Sequence, residues 1–357
     1  MKNIFLYLSL CIFTFQSCLR DNEDPVPIAP FEGAVISPEI GGPAVPNQVW
    51  LNLSTGEQTI NKRPSWDLAF HSGKEFKVIL NFSIQMAAGV IEGATDINAV
   101  TSASVKDLQK KIKVGTFKAE NENYVDNVEG NYASGRTAIA EISADDAQNA
   151  IYLVNLGKEI YTEDITLGQA ITGGADRGWK KIQITRNGNG YKLKYADLDA
   201  TTYKEVIINK NPAYHFTFFN MKEDKEVSVQ PEKNKWDLCF TVFVNVIAGS
   251  GTYTYSDFVI HNTMGGVGAY MVEVPSSQNA ADVYKSFSTT DVDNSKFVYN
   301  DHRAIGSNWR DVLNRIVYNN VFFIIKDSNG VIYKLKFNRL TNINGERGYP
   351  EFEYKPL

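Results

Sequence analysis

The chain of 357 residues is 43% hydrophobic, 22% charged and 12% aromatic. That balance is globular, too apolar and aromatic for disorder and too mixed for a fibre. Its 36 basic and 41 acidic residues leave a formal charge of −5. No basic surplus exists to neutralise a phosphate backbone, so no nucleic-acid partner is expected. The 20 Phe, 18 Tyr and 26 Gly, with many β-branched residues, lean towards strands.

The chain opens like an export signal. Lys2 precedes an apolar run from Ile4 to Phe15, and the small Ser17 stands before Cys18. The run is short for a bilayer span, which makes a retained transmembrane helix the weaker reading. Phe15-Gln16-Ser17-Cys18 resembles a bacterial lipobox, in which residues 1–17 are removed and Cys18 carries the lipid. An ordinary secreted protein is the alternative. Residues 18–35 read as a tether: Pro25, Pro27 and Pro30 suit a solvated linker, and Asp21, Glu23 and Asp24 resemble the acidic surface-export signal of Bacteroidetes lipoproteins. The expected location is the outer membrane, lipid-anchored and facing the cell surface. Beyond Cys18 the mature chain has Cys239 as its other thiol, so no intrachain disulfide framework is expected, and Cys239 should act as a buried small hydrophobe.

The mature chain then repeats itself. Trp50-Leu51-Asn52-Leu53, a polar turn and Trp66-Asp67-Leu68-Ala69-Phe70-His71 are echoed by Phe216-Thr217-Phe218-Phe219, a polar turn and Trp236-Asp237-Leu238-Cys239-Phe240-Thr241. Each pair reads as two strands joined by a turn. Alternation places Trp66, Leu68 and Phe70 on one face, with Asp67, Ala69 and His71 on the other, and both Trp66 and Trp236 should be buried. Met86-Ala87-Ala88 against Met264-Gly265-Gly266 is a weaker echo. Asn187-Gly188-Asn189-Gly190 before Tyr191–Tyr195, and Asp327–Gly330 before Tyr333–Phe337, read as hairpins. Trp66 and Trp236 lie 170 residues apart but Tyr191 and Tyr333 only 142, so the first copy carries about 28 extra residues. Ser104–Ile112 belongs to that insertion, with Val105, Leu108 and Ile112 on one helical face. The expected fold is all-β, mostly antiparallel sheets with a few short helices, in two tandem units at 36–205 and 206–357. Two separate domains and one fused double sheet both fit.

These motifs resemble the HmuY-like family of exported haem-binding lipoproteins in Bacteroidetes. The resemblance rests on Trp-Asp-Leu-x-Phe followed by a Gly-rich stretch. It rests also on the closing run Val321–Asp327, Gly330, Tyr333–Phe337, Gly345-Glu346-Arg347-Gly348-Tyr349-Pro350 and Glu351–Tyr354. It touches most of residues 48–357. It implies an all-β protein that holds one haem between protruding loops and passes it to an outer-membrane receptor, without catalysis. Some members use two axial histidines and others methionines.

Axial ligation needs a lone pair from imidazole, thioether, thiolate or phenolate. The mature chain offers His71, His215, His261 and His302, with Met86, Met221, Met264 and Met271. The richest cluster runs from His261 through Met264 to Met271 around three glycines, and His261, Met264, Met271 and His71 are the candidate haem ligands. Met264 and Met271 read equally as core residues, since Met264 has a repeat partner in Met86. His71 follows the Trp66–Phe70 strand, where the second copy has Thr241. His215 reads as a strand residue, and His302, in Asp301-His302-Arg303, as part of a solvated loop.

No serine nucleophile elbow, P-loop or dinucleotide fingerprint is present, and the histidines are too scattered for a zinc motif. Asp291-Val292-Asp293-Asn294-Ser295 lacks the glycine and distal Glu of a calcium loop and reads as a polar turn. The expected function is therefore capture of haem or a related porphyrin for iron acquisition. The alternative is a surface module that binds a glycan, peptide or partner protein without haem.

Overall fold

The structure is a computed structural model that describes residues 32–357 apart from Gly168 and Ala170. The expected signal peptide, Cys18 and the acidic tether lie outside the described residues. Residues 33–357 form one compact unit.

In the first half the strands are β1 (Ala34–Ile36), β2 (Asn47–Leu51), β3 (Gln58–Lys62), β4 (Leu68–His71), β5 (Val78–Leu80) and β6 (Ala87–Val90). After helix α1 (Lys106–Lys111) come β7 (Ile151–Asn155), β8 (Trp179–Asn187), β9 (Gly190–Asp197) and β10 (Lys204–Ile208). The second half opens with β11 (Phe216–Asn220), β12 (Lys225–Val227), β13 (Leu238–Ile247), β14 (Gly251–His261) and β15 (Gly268–Glu273). It closes, after α2 (Ala280–Ser286), with β16 (Arg310–Asp311), β17 (Ile316–Val317), β18 (Val321–Lys326), β19 (Ile332–Thr341) and β20 (Arg347–Pro356). The fold is all-β and antiparallel, as the alternation and hairpin signals require. Both expected hairpins form. Gly188 takes φ +57° between β8 and β9, and the Asp327 carboxylate accepts from the backbone of Asn329 and Val331 between β18 and β19. The inserted helix also forms, with Val105 and Ile112 buried and Leu108 packed beside them.

The strands of the two halves interleave. Two five-stranded sheets, β10-β9-β8-β7-β6 and β1-β20-β19-β18-β15, flank two four-stranded sheets, β12-β11-β4-β5 and β14-β13-β2-β3. Each four-stranded sheet takes one hairpin from each half. Trp50–Leu53 and Trp66–His71 therefore do not pair with each other, although both contain strands. β2 pairs with β13 and β4 with β11, through Leu51↔Leu238 and Leu68↔Phe219.

Side-chain alternation explains why both four-stranded sheets are buried on both faces. Leu68, Phe70 and Phe219 point into a core shared with the first five-stranded sheet, through Ile182, Ile184 and Leu193. Val49, Leu51, Leu238 and Phe240 point into the equivalent core against Phe323, Leu335 and Phe352. The intervening residues Trp50, Ala69, Phe218 and Cys239 meet in a third, aromatic core at the seam between the halves. Cys239 is fully buried there, and burial raises its thiol well above the usual range.

Trp66 and Trp236 are both buried, but Trp66 does not share a face with Leu68 and Phe70. The chain bends at Asp67, the strand starts at Leu68, and Trp66 swings into the seam. Asp67 makes the bend possible. Its backbone N–H donates to Phe219 O, its Oδ2 accepts from Met221 N at 2.7 Å, and its Oδ1 pairs with Arg177 at 2.6 Å. Asp237 repeats the arrangement from the other side, with its N–H on Leu51 O and its Oδ2 accepting from Leu53 N at 2.7 Å. Asn81 and Asn262 complete each latch: each side-chain amide donates to the carbonyl of the preceding tryptophan, Trp66 or Trp236. These contacts align Leu53 with Met221, two residues later in the second copy than the sequence echo alone suggests.

Candidate functional site

The seam core is built from equivalent aromatic pairs. Trp50 meets Trp236 edge-on at 4.7 Å, and Phe218 meets Trp66 edge-on at 5.0 Å. Trp66 satisfies its indole N–H on Gln48 Oε1 at 2.8 Å, whereas the indole nitrogens of Trp50 and Trp236 have no hydrogen-bond partner among the described residues. Between these rings lies a cavity of about 30 Å³. It is bounded on its polar side by His215, Gln230, His261 and His302, with Met264 beside them.

Each histidine arrives from a different element. His261 ends β14, and its buried ring sets Nε2 against Val298 O at 3.0 Å, so Nε2 carries the proton and Nδ1 a free lone pair. His302 sets Nε2 against Val128 O at 3.0 Å, and its backbone N–H donates to Glu129 O. Gly130, at φ +77°, allows that approach, because a Cβ there would fall 2.3 Å from His302 Nδ1. His215 precedes β11, and its buried Nε2 is unpartnered. Burial drives the imidazoles neutral: His215 and His261 fall to about 4 and His302 to about 3. A positive neighbour, Lys233, adds to the effect at His215, and His261 adds to it at His302.

Of the expected ligands, the structure brings His261 and Met264 to this cavity. His71 stands one strand away: its ring packs at 5.6 Å from Phe216, and Nδ1 lies 3.4 Å from Glu75 Oε2. Burial lowers its pKa, opposed by Glu75. Met271 is 39% exposed on β15, opposite Phe323 in register, and does not line the cavity. Two residues were misjudged from sequence. His302 is buried rather than solvated, and His215 lies at the foot of β11 on the cavity wall. Among the described residues, no group of three or more His, Cys, Asp or Glu is gathered to hold a metal ion.

A wider groove of about 550 Å³ lies next to the cavity, along β11, the turn before it and the segment after β12. Phe216, Phe218 and Gln230 wall both spaces. Asn209, Asn211, Tyr214, Ser228 and Glu226 also line the outer groove, as does Lys210, whose Nζ donates to Gly73 O and Glu75 O.

The HmuY protein family matches the chain over residues 44–211 and again over 213–354, and the chain belongs to that family. No curated protein and no solved structure matches it. Among the described residues no helix is long and apolar enough to cross a membrane.

Proposed function

We propose that the protein captures haem or a related porphyrin at the cell surface, held to the outer membrane through Cys18, and catalyses no reaction. Membership of a haem-binding family supports this reading. The observation that carries it is the convergence of neutral His215 and His261 with the thioether of Met264 on one aromatic-walled cavity. Imidazole nitrogen and thioether sulfur are the usual protein donors to haem iron, and the iron would be the one centre to use them.

Size sets the condition for binding. The cavity of about 30 Å³ admits a guest the size of a water molecule or two. The outer groove of about 550 Å³ lies within the roughly 300–1,000 Å³ of small-molecule sites. A porphyrin therefore enters from the groove and reaches the imidazoles only if Phe216, Phe218 and Gln230 swing aside and the two spaces merge.

A haemin titration in both iron states tests the proposal. A saturable Soret shift is expected, abolished in the double variant His261→Ala with Met264→Ala while the circular dichroism stays unchanged. Met271→Ala should bind as the parent does. Absence of a shift, or an unchanged shift in the double variant, would overturn the assignment of these ligands. In cell fractions the parent should stay with the membrane and Cys18→Ala should be released, whereas equal retention would count against lipidation.

A further inference from the structure

The cavity concentrates buried polar atoms that the protein leaves unpaired. Trp50 Nε1, Trp236 Nε1, His215 Nε2, His261 Nδ1 and Gln230 Oε1 all belong to residues that line it, and none has a partner among the described residues. Such atoms are rare in folded proteins because each costs its full desolvation. Five around one small space point to a guest.

Their chemistry selects its kind. The two indoles can only donate. His261 Nδ1 can only accept, since Nε2 holds the proton on Val298 O, and Gln230 Oε1 can only accept. A lone anion would face the two acceptors and a lone cation the two donors. A neutral hydroxyl satisfies both sets, accepting from an indole and donating to His261 or Gln230. The cavity holds little more than that hydroxyl, but the groove beyond Phe216, Phe218 and Gln230 has room for the body of a ligand. Its wall combines the rings of Tyr214 and Phe216 with the amides of Asn209 and Asn211, the Ser228 hydroxyl and the Glu226 carboxylate, whose pKa burial raises; acceptors and amides beside rings suit a ligand that is apolar on its faces and hydroxylated at its edge.

We propose that the groove and cavity together bind a neutral saccharide, with the ring against Tyr214 and Phe216 and one hydroxyl inserted between Trp50, Trp236, His261 and Gln230. This inference does not rest on the haem reading, because it uses N–H donors that iron cannot use.

The test titrates the full chain with neutral oligosaccharides of glucose, mannose, xylose and N-acetylglucosamine, following tryptophan fluorescence and heat. Saturable binding of at least one is expected. Trp50→Phe, which keeps a ring but removes the N–H, and Gln230→Ala should each weaken it at least tenfold, with unchanged circular dichroism. Both variants are titrated with haemin as well, so loss of saccharide binding and loss of haem binding are read separately. No saturable response to any of the four would overturn the proposal. So would a crystal structure with water only in the cavity after soaking in each sugar, or equal affinity in both variants.

Discussion

At the scale of single residues, the histidines govern the response to acid. In the folded chain His215 and His261 stay neutral down to about pH 4 and His302 to about pH 3. In the unfolded chain each takes up its proton near pH 6.5. Their contribution is therefore complete above 6.5 and is lost as pH falls from 6.5 towards 4, at about 1.4 kcal/mol per pH unit for each imidazole. Asp126 and Asp237 oppose this: burial raises both to about 6, so the cost of their charge is relieved as pH falls. Three imidazoles outnumber two carboxylates. The urea midpoint should drop between pH 7 and pH 5, and His302→Asn should flatten that drop. A midpoint that rises would mean the imidazoles charge inside the fold. Sequence gave little access to this behaviour at His302. Its neighbours Asp301 and Arg303 pair with each other at 2.7 Å on the outside, which turns the residue between them inward. A charged triplet reads as solvated unless that pairing is seen.

At the scale of elements, the Trp-Asp motif is a latch between halves more than a strand start. Asp67 is fully buried, takes Met221 N from the other half, and neutralises the equally buried Arg177. Asp67→Ala should cost roughly 3–5 kcal/mol in denaturant unfolding, because it leaves Met221 N without its acceptor and the buried Arg177 guanidinium with only the half-exposed Glu159 carboxylate, 3.6 Å from Nε. Asp237→Asn behaves differently. It keeps an acceptor for Leu53 N and removes a carboxylate whose ionisation near pH 6 works against folding. Its stability should equal or exceed the parent's at pH 8 and fall to the parent's level or below at pH 4. A large loss at pH 8 would show that the charge itself holds the latch. The motif and its repeat were legible in the sequence, as were both glycine hairpins and the apolar face of α1. The strand partners were not. Each hairpin is locally complete, and nothing within it records that β2 pairs with β13 rather than with β4. Alternation also carries less information in strands buried on both faces, which is why Trp66 could be placed on the wrong one.

At the scale of the molecule, the two halves stand to each other as exchanged partners. Each supplies a five-stranded sheet, apart from β1, which crosses to pair with β20, and each lends its first hairpin to the sheet that completes the other half's core. Residues 33–211 alone would keep β4 and β5 but lose β11 and β12, exposing the β4 edge and the apolar faces of Ala69 and Ile79 at the seam. The same fragment would retain β2 and β3, the equivalents of the hairpin it has lost, with Leu53 standing where Met221 stands. A second copy can therefore supply the missing strands, each copy's β2 pairing with the other's β4 and each Asp67 accepting from the other's Leu53. The fragment 33–211 should be a dimer by light scattering, with strand-rich circular dichroism, and should unfold at a midpoint that rises with protein concentration. Asp67→Ala in the fragment should weaken dimerisation more than it alters secondary structure. A folded monomer would show that the first half closes its own hairpin when freed, and that the exchange depends on the covalent linkage through residues 209–215 rather than on the surfaces themselves.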